Sequence, residues 1–203
     1  MKAPRECALP LVTVEEGRFV VNPEALAVLQ GVKGSLAVVG VAGQYRTGKS
    51  FLLNRVILNR ERGFGVAPTV NACTKGIWLW SRPLRAVDAV GEAVTTLVLD
   101  SEGLGAIDQD TSHDCRIFAL VLLLSSVFLY NSVGAIDEGA IAGLSLVINL
   151  TRHIRTRLRP GEEEDDAEEF GATEIAPMLR ETPVLATMLR PVRKGEKQDS
   201  ATF

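Results

Sequence analysis

The stretch Gly43-Gln-Tyr-Arg-Thr-Gly-Lys-Ser50 determines how the rest of the chain is interpreted. It matches the pattern G-x-x-x-x-G-K-[ST], in which a glycine-rich turn joins a strand to a helix. Glycines let such a turn curl closely around an anion, and its successive N–H groups point inward. In this pattern the lysine reaches the outer phosphates of a nucleotide, and the hydroxyl that follows it binds magnesium. The motif therefore predicts a phosphate-binding P-loop.

The flanking sequence supplies the strand and the helix that the motif requires. Residues 35–41 are apolar and β-branched and predict a buried strand, and a helix is expected from about residue 49 to residue 60. Average residue usage makes a chance match in a chain of this length an event on the order of 1%. The context therefore favours a P-loop over the alternative, an ordinary glycine-rich turn.

A second motif, Asp100-Ser-Glu-Gly103, follows a predicted strand over residues 93–99. In a P-loop protein the aspartate at this place holds the water shell of Mg²⁺, and the N–H of Gly103 would sense the terminal phosphate. Taken alone, D-x-x-G is also a common turn. Thr74 lies in the preceding loop, where a threonine can bind Mg²⁺. A surface threonine that caps a strand fits its position equally well.

The order of predicted elements indicates an α/β domain. A lead-in strand and a helix capped by Asn22-Pro23 come first, and residues 117–130 predict a buried helix followed by a buried strand. A further helix is expected from Asp137 to about residue 158. This alternation predicts a three-layer P-loop NTPase fold with a mostly parallel sheet, whose ligand lies at the carboxyl ends of the strands. We expect this domain to span residues 1–160, and residues 161–203 to form an acidic linker and a poorly ordered tail.

The composition limits the range of functions. The 203 residues suffice for one domain, and the net charge of −3 argues against nucleic acid as a partner. Three scattered cysteines predict a reduced, cytoplasmic setting. The most apolar run is shorter than the about 20 residues of a membrane helix, so any membrane association is not encoded as a span. His113 and His153 lack zinc-ligand spacing, so solvated or locally bonded histidines are expected.

Four segments occur in order and with matching gaps between about residue 8 and residue 160: Gly43 to Asn54, Thr74 to Trp80, Leu99 to Gly105, and Ser125 to Ile136. Together they resemble the guanylate-binding proteins, large GTPases of the dynamin superfamily. The resemblance implies GTP and GDP as ligands, Mg²⁺ as cofactor, and GTP-promoted association into a homodimer or with related large GTPases. P-loop residues contact only phosphate and metal, so an enzyme for another nucleotide is the alternative on the residues alone.

The resemblance also implies individual roles. Arg46 matches an internal arginine finger, Thr74 a switch threonine on Mg²⁺, and Glu102 an acidic residue that organises water around the γ-phosphate. The alternatives are an exposed loop arginine at Arg46 and a solvated loop glutamate at Glu102. The predicted catalytic residues are Arg46, Lys49, Thr74 and Glu102, and the predicted metal ligands are Ser50, Thr74 and, through water, Asp100. The predicted nucleotide-binding residues are Gly43, Gln44, Tyr45, Arg46, Thr47, Gly48, Lys49, Ser50, Phe51, Asp100 and Gly103.

Two departures from the family pattern bear on activity. Ala72 stands where many members carry a serine that places the attacking water. The 203 residues contain no Arg-Asp pair of the kind with which the family reads guanine, and no N-K-x-D element. We therefore expect a partial GTPase domain, truncated before the last strands. The alternative function is a catalytically weak or inactive fragment that binds nucleotide or other proteins.

Overall fold

The computed structural model describes residues 6–66, 76–88, 90–104 and 111–134, together with the single positions 141 and 145. These residues form seven strands: β1 Ala8–Glu15, β2 Arg18–Val21, β3 Leu36–Gly43, β4 Ile77–Trp80, β5 Leu84–Val87, β6 Ala93–Ser101 and β7 Val127–Asn131. The helices are α1 Pro23–Gln30, α2 Lys49–Leu52, which continues as a π-helical segment over Leu53–Ile57, and α3 Thr111–Leu124.

Helix α1 begins at the predicted residue. The side chain of Asn22 accepts hydrogen bonds from the backbone N–H groups of Glu24 and Ala25, at 2.8 and 3.3 Å. Pro23 occupies the first helical position, where its missing N–H costs nothing. The predicted cap is therefore confirmed.

The sheet is mixed, which corrects the expectation of a mostly parallel sheet. Its order is β2-β1-β4-β6-β3-β7, and β5 pairs with β6. Only β3 with β6 and β3 with β7 are parallel pairs among the described strands. A tight turn at Glu16 and Gly17 joins β1 to β2, and residues 88–92 join β5 to β6. Loops this short cannot make the crossover that a parallel pair needs, so they force antiparallel pairing.

Two clusters of buried side chains lie on opposite faces of the sheet. Alternate residues of a strand point to opposite faces, and Leu97 and Leu99 of β6 pack in one cluster while Val98 packs in the other. Helices α1 and α3 cover the first face. Leu53, in the π-helical continuation of α2, packs in the second cluster. The predicted α/β three-layer architecture is therefore confirmed.

The second cluster also accounts for the two tryptophans. Trp80 is 3% exposed and its ring centroid lies 5.6 Å from that of Phe64, and Trp78 packs against the same cluster. Both tryptophans therefore contribute to the packing on this face of the sheet.

Other boundaries differ from the predictions or lie beyond what is described. The helix after the P-loop ends at Ile57 rather than near residue 60, and strand β5 lies between β4 and β6, where the sequence predicts no strand. The predicted helix over residues 137–158 lies largely outside the described residues, and the acidic linker and tail over residues 161–203 lie wholly outside them, so these and the domain boundary stay predictions. In the described part of the chain, no helix has both the length and the apolar composition to cross a bilayer.

Candidate nucleotide-binding site

Three parallel strands end at one edge of the sheet, where the P-loop begins. The last residues of β6, β3 and β7 are Ser101, Gly43 and Asn131. Gly43 has φ 149° and Gly48, which precedes α2, has φ 85°, both in the region that favours glycine. A Cβ on Gly43 would lie 1.9 Å from the carbonyl oxygen of Asn131. Only glycine therefore lets the P-loop pass so close to the end of β7.

The side chain of Asn131 ties the P-loop to the sheet. Its Nδ2 donates to the carbonyl oxygen of Thr47 at 2.8 Å and approaches the Thr47 hydroxyl at 3.1 Å. That hydroxyl donates in turn to the carbonyl oxygen of Gln44 at 2.9 Å. The loop is thus held in its curved form by side-chain bonds at its middle, in addition to the strand and helix at its ends.

Lys49 places a cation at the base of the loop. The residue is 6% exposed, and its Nζ donates to the carbonyl oxygen of Gln44 at 2.9 Å. Burial lowers the pKa of Lys49, and the carboxylates of Asp100 and Glu102 oppose that shift. Because a buried cation is costly without anionic partners, this position is well suited to the charge of a phosphate group.

Ser50 and Asp100 bring two oxygen atoms together beside Lys49. The Ser50 hydroxyl donates to Oδ2 of Asp100 at 2.6 Å, and Asp100 is fully buried near the end of β6. Hydroxyl, carboxylate and water oxygens are the ligands that Mg²⁺ prefers. The pair that the sequence predicts as metal ligands is therefore adjacent in space.

The second motif lies directly against the P-loop. The N–H of Tyr45 donates to the carbonyl oxygen of Leu104 at 2.8 Å, and the N–H of Leu104 donates to the carbonyl oxygen of Gly43 at 3.0 Å. A Cβ on Gly103 would lie 2.4 Å from Cα of Tyr45. The Asp100–Gly103 segment is therefore part of the P-loop site and not an isolated turn.

Glu102 is buried and bonded, so the alternative of a solvated loop glutamate is wrong. It is 3% exposed, and its Oε1 is hydrogen-bonded to Nε2 of His113 on α3. This hydrogen bond raises the pKa of His113, and burial opposes part of the rise. His113 is therefore a locally bonded histidine, one of the two environments expected for it.

Two predicted residues lie on the outer side of the site. Arg46 is exposed, has φ 60°, and its guanidinium lies 5.9 Å from the ring centroid of Tyr45. Phe51 is 55% exposed, with the guanidinium of Arg55 5.6 Å from its ring centroid. Their contact with a nucleotide stays a prediction. Thr74 lies outside the described residues, so its part in the site is a prediction as well.

Comparison with known proteins identifies the group to which this site belongs. A family model described as "Guanylate-binding protein, N-terminal domain" matches residues 16–176, most of the chain. The chain belongs to the guanylate-binding protein family. The family resemblance of the sequence motifs is thereby confirmed.

Individual relatives match at similar levels. The chain is 40% identical over 163 residues to Guanylate-binding protein 1 of Homo sapiens, an alignment covering 79% of this chain and 27% of the relative. It is 41% identical over 164 residues to human Guanylate-binding protein 2, covering 80% and 27%. It is 44% identical over 150 residues to Guanylate-binding protein 5 of Mus musculus, covering 73% and 25%. The chain thus spans about a quarter of the length of the curated relatives it matches.

The structure adds two residues to the site of this guanylate-binding protein family member. Asn131 ends a strand at the ligand edge of the sheet, and the rule that ligands lie at such ends could have found it. His113 stands eleven positions after Glu102, and no motif links the two. Their contact depends on how α3 packs on the sheet.

Proposed function

We propose that this chain binds GTP together with Mg²⁺ and hydrolyses it. The observation that carries the proposal is the arrangement of Lys49, Ser50 and Asp100, in which a buried cation lies beside two adjacent oxygen ligands. Phosphate oxygens would take the place that the Gln44 carbonyl now has on Lys49. Guanine as the base is supported by membership of a family named for guanylate binding.

The residues at the site fit a magnesium ion. Ser50 would be a direct ligand, Asp100 would act through water, and Thr74 would complete the set. When bound, Mg²⁺ offsets the negative charge of the outer phosphates. The P-loop N–H groups and Lys49 bind and orient those phosphates, and the backbone of Gly103 lies beside the loop to contact the terminal phosphate.

The remaining roles follow from the family pattern. Arg46 would stabilise charge on the transferring phosphoryl group, and Glu102 would help to organise the attacking water. We further propose that GTP promotes association with a second copy or a related large GTPase, and that the protein acts in the cytoplasm.

A specific observation supports a second candidate function. Ala72 provides no hydroxyl for the attacking water. The alternative is therefore a catalytically weak or inactive module that binds nucleotide, or that pairs with a complete relative and alters its turnover. An enzyme for another nucleotide is a third candidate, because the phosphate site does not read the base.

A titration with fluorescent GTP and ATP analogues in the presence of Mg²⁺ tests the binding proposal. Saturable binding that prefers GTP is expected for the wild-type chain and should be lost in Lys49→Ala. Lys33→Ala, which removes an exposed lysine, is the matched control and should bind normally. Equal binding of both nucleotides would remove the guanine part of the proposal, and no binding by folded protein would refute it.

Phosphate release and sedimentation velocity test the remaining parts. Hydrolysis predicts multiple turnovers with GTP, and GTP-promoted association predicts a larger sedimentation coefficient with a non-hydrolysable GTP analogue than with GDP. Binding without turnover would favour the second candidate function. In that case the chain should be mixed with a complete relative and the turnover of that relative measured.

A further inference from the structure

Glu102 is held by three separate elements at the edge of the P-loop site. Its N–H donates to the carbonyl oxygen of Gly76, just before β4, at 3.0 Å. Its carbonyl oxygen accepts from the hydroxyl of Ser101, which also donates to the carbonyl oxygen of Val41 in β3 at 2.8 Å. Its carboxylate bonds to His113 on α3. The backbone is thus fixed by the sheet, whereas the side-chain bond comes from a helix.

Two side chains that can carry a positive charge, Lys49 and His113, interact with the buried carboxylate of Glu102. Glu102 acts electrostatically on Lys49 and is bonded to His113, whose side chain is 15% exposed. A carboxylate drawn to Lys49 would compete with phosphate for the same ammonium group. The bond to His113 supplies a different partner, and it also satisfies an oxygen that would be costly to leave unpaired.

We propose that His113 is a positioning residue: its hydrogen bond holds the carboxylate of Glu102 away from Lys49 and toward the water that attacks the γ-phosphate. This inference rests on the proposed GTP hydrolysis. His113 would touch neither nucleotide nor water itself and would act through Glu102. Lys49 would thereby remain available to phosphate, and Glu102 would be aligned before GTP binds.

Three charged groups act on the pKa of His113. Glu102 faces it from the end of β6, and Asp114 and Arg116 lie on its own helix. The hydrogen bond to Glu102 is the largest effect and raises the pKa of His113, whereas burial lowers it. Asp114 raises this pKa further, and Arg116 lowers it. Because the folded-state pKa of His113 is raised, its imidazolium persists to a higher pH than that of an ordinary histidine, and the proton is lost as the pH rises through the raised pKa.

The pairing itself can be tested without turnover. The chain has two histidines, so ring ¹³C–¹H spectra resolve His113 and His153, and His113→Gln assigns them. We expect the pKa of His113 to lie above its ordinary value of 6.5 in the wild-type chain and to move downward in Glu102→Gln. A His113 titration unaffected by Glu102→Gln would overturn the proposal.

The positioning role is tested by comparing His113→Leu with His113→Gln. Gln can place an amide N–H near the position of Nε2, and Leu cannot donate. We expect kcat for GTP to fall about 10-fold or more in His113→Leu, because a hydrogen bond to a charged group is lost, and to be partly restored in His113→Gln. The KM and the Kd for a non-hydrolysable GTP analogue should change less than 3-fold in both variants. Lys33→Ala, at an exposed position, should match the wild type.

Three outcomes would count against the role. Equal loss of kcat in both variants, in step with a lower melting temperature, would make His113 a merely structural residue. A weakening of Kd as large as the loss of kcat would place its effect in binding. A wild-type chain that binds GTP but does not turn it over would refute the proposed hydrolysis and the positioning role with it, even if the spectra show the pair.

Discussion

Asn131 and Thr47 lie 84 positions apart in the chain and meet at the P-loop. The amide of Asn131 donates to the backbone of the loop, so the loop's curvature depends on a side chain from a different strand. This contact between two residues holds the N–H groups of the loop in position for phosphate. Donors that are already in position lower the free-energy cost of binding.

Asn131→Asp removes the donating group and leaves the size of the side chain almost unchanged. We expect nucleotide affinity to fall about 10-fold, because the Thr47 carbonyl loses its donor and faces a carboxylate instead. The measurement is a titration with a fluorescent GTP analogue. Asn59→Asp makes the same change at an exposed position and should bind like the wild type. Unchanged affinity in Asn131→Asp would show that the loop keeps its shape without this bond.

At the scale of elements, the π-helical segment after α2 is fixed by one buried side chain. Asn54 is 2% exposed. Its Nδ2 donates to the carbonyl oxygen of Phe64 at 3.0 Å, and its Oδ1 accepts from the N–H of Phe64 at 2.8 Å. The loop that follows is thereby folded back under the helix, where Phe64 packs against Trp80.

Asn54→Ala should therefore destabilise the chain. It removes both hydrogen bonds and leaves two buried backbone groups of Phe64 without that partner, which should lower the free energy of unfolding by about 2–4 kcal/mol. Urea unfolding followed by circular dichroism measures the change. Val56→Ala, at a 67% exposed position of the same segment, is the control and should cost under about 0.5 kcal/mol. Similar unfolding free energies for Asn54→Ala and Val56→Ala would contradict the structural role given to Asn54.

Glu6 joins two further elements through its charge. Its carboxylate pairs with Arg82, just after β4, and with Arg60, just after the π-helical segment. The hydrogen bond from Arg82 is the largest cause that lowers the pKa of Glu6 below its ordinary value of 4.5, and burial opposes it. The folded chain therefore holds this group ionised at pH values where the unfolded chain takes up a proton.

This pairing predicts a pH dependence with a definite sign. The stabilisation from Glu6 is fully present above pH 4.5, the ordinary value, and is lost as the pH falls through the lower folded-state pKa. The difference in unfolding free energy between the wild type and Glu6→Gln, measured with urea, should shrink below that pH. Glu61→Gln serves for comparison, because Glu61 is exposed and its Oε1 lies 3.9 Å from Nη1 of Arg55. A difference in unfolding free energy between the wild type and Glu6→Gln that stays constant down to the lowest pH would contradict this prediction.

At the scale of the whole molecule, one sheet supports a core on each face. Leu120 of α3 is fully buried in the cluster under α1 and α3, and both tryptophans pack on the opposite face. Because the two clusters share the same strands, loss of one should unfold the other. The domain is therefore expected to unfold in a single step.

Leu120→Ala tests this coupling across the sheet. The cavity should cost about 2–5 kcal/mol. Tryptophan fluorescence and far-UV circular dichroism should report the same lowered urea midpoint, as coincident transitions require. Val87→Ala, at a 69% exposed position, should leave the midpoint nearly unchanged. A fluorescence transition that stays at the wild-type midpoint would show that the two faces unfold independently.

The sequence by itself determined the P-loop, its strand and helix, the cap of α1, the α/β class and the family. These features depend on residues that are neighbours in the chain: glycines placed for unusual φ, a capping side chain beside the N–H groups it satisfies, and apolar runs with the period of their element. The positions of Lys49, Ser50 and Asp100 could be predicted because each follows a strand or turn at a fixed offset.

Only the tertiary structure decided the mixed sheet, the bond between Asn131 and the P-loop, and the pair of Glu102 with His113. A short loop between two consecutive strands permits only antiparallel pairing, so the lengths of the connections affect the directions of the strands. The two side-chain contacts depend on the register of β7 against β3 and on the packing of α3 over β6. Packing sets such distances through many side chains at once, so no short pattern in the sequence records them.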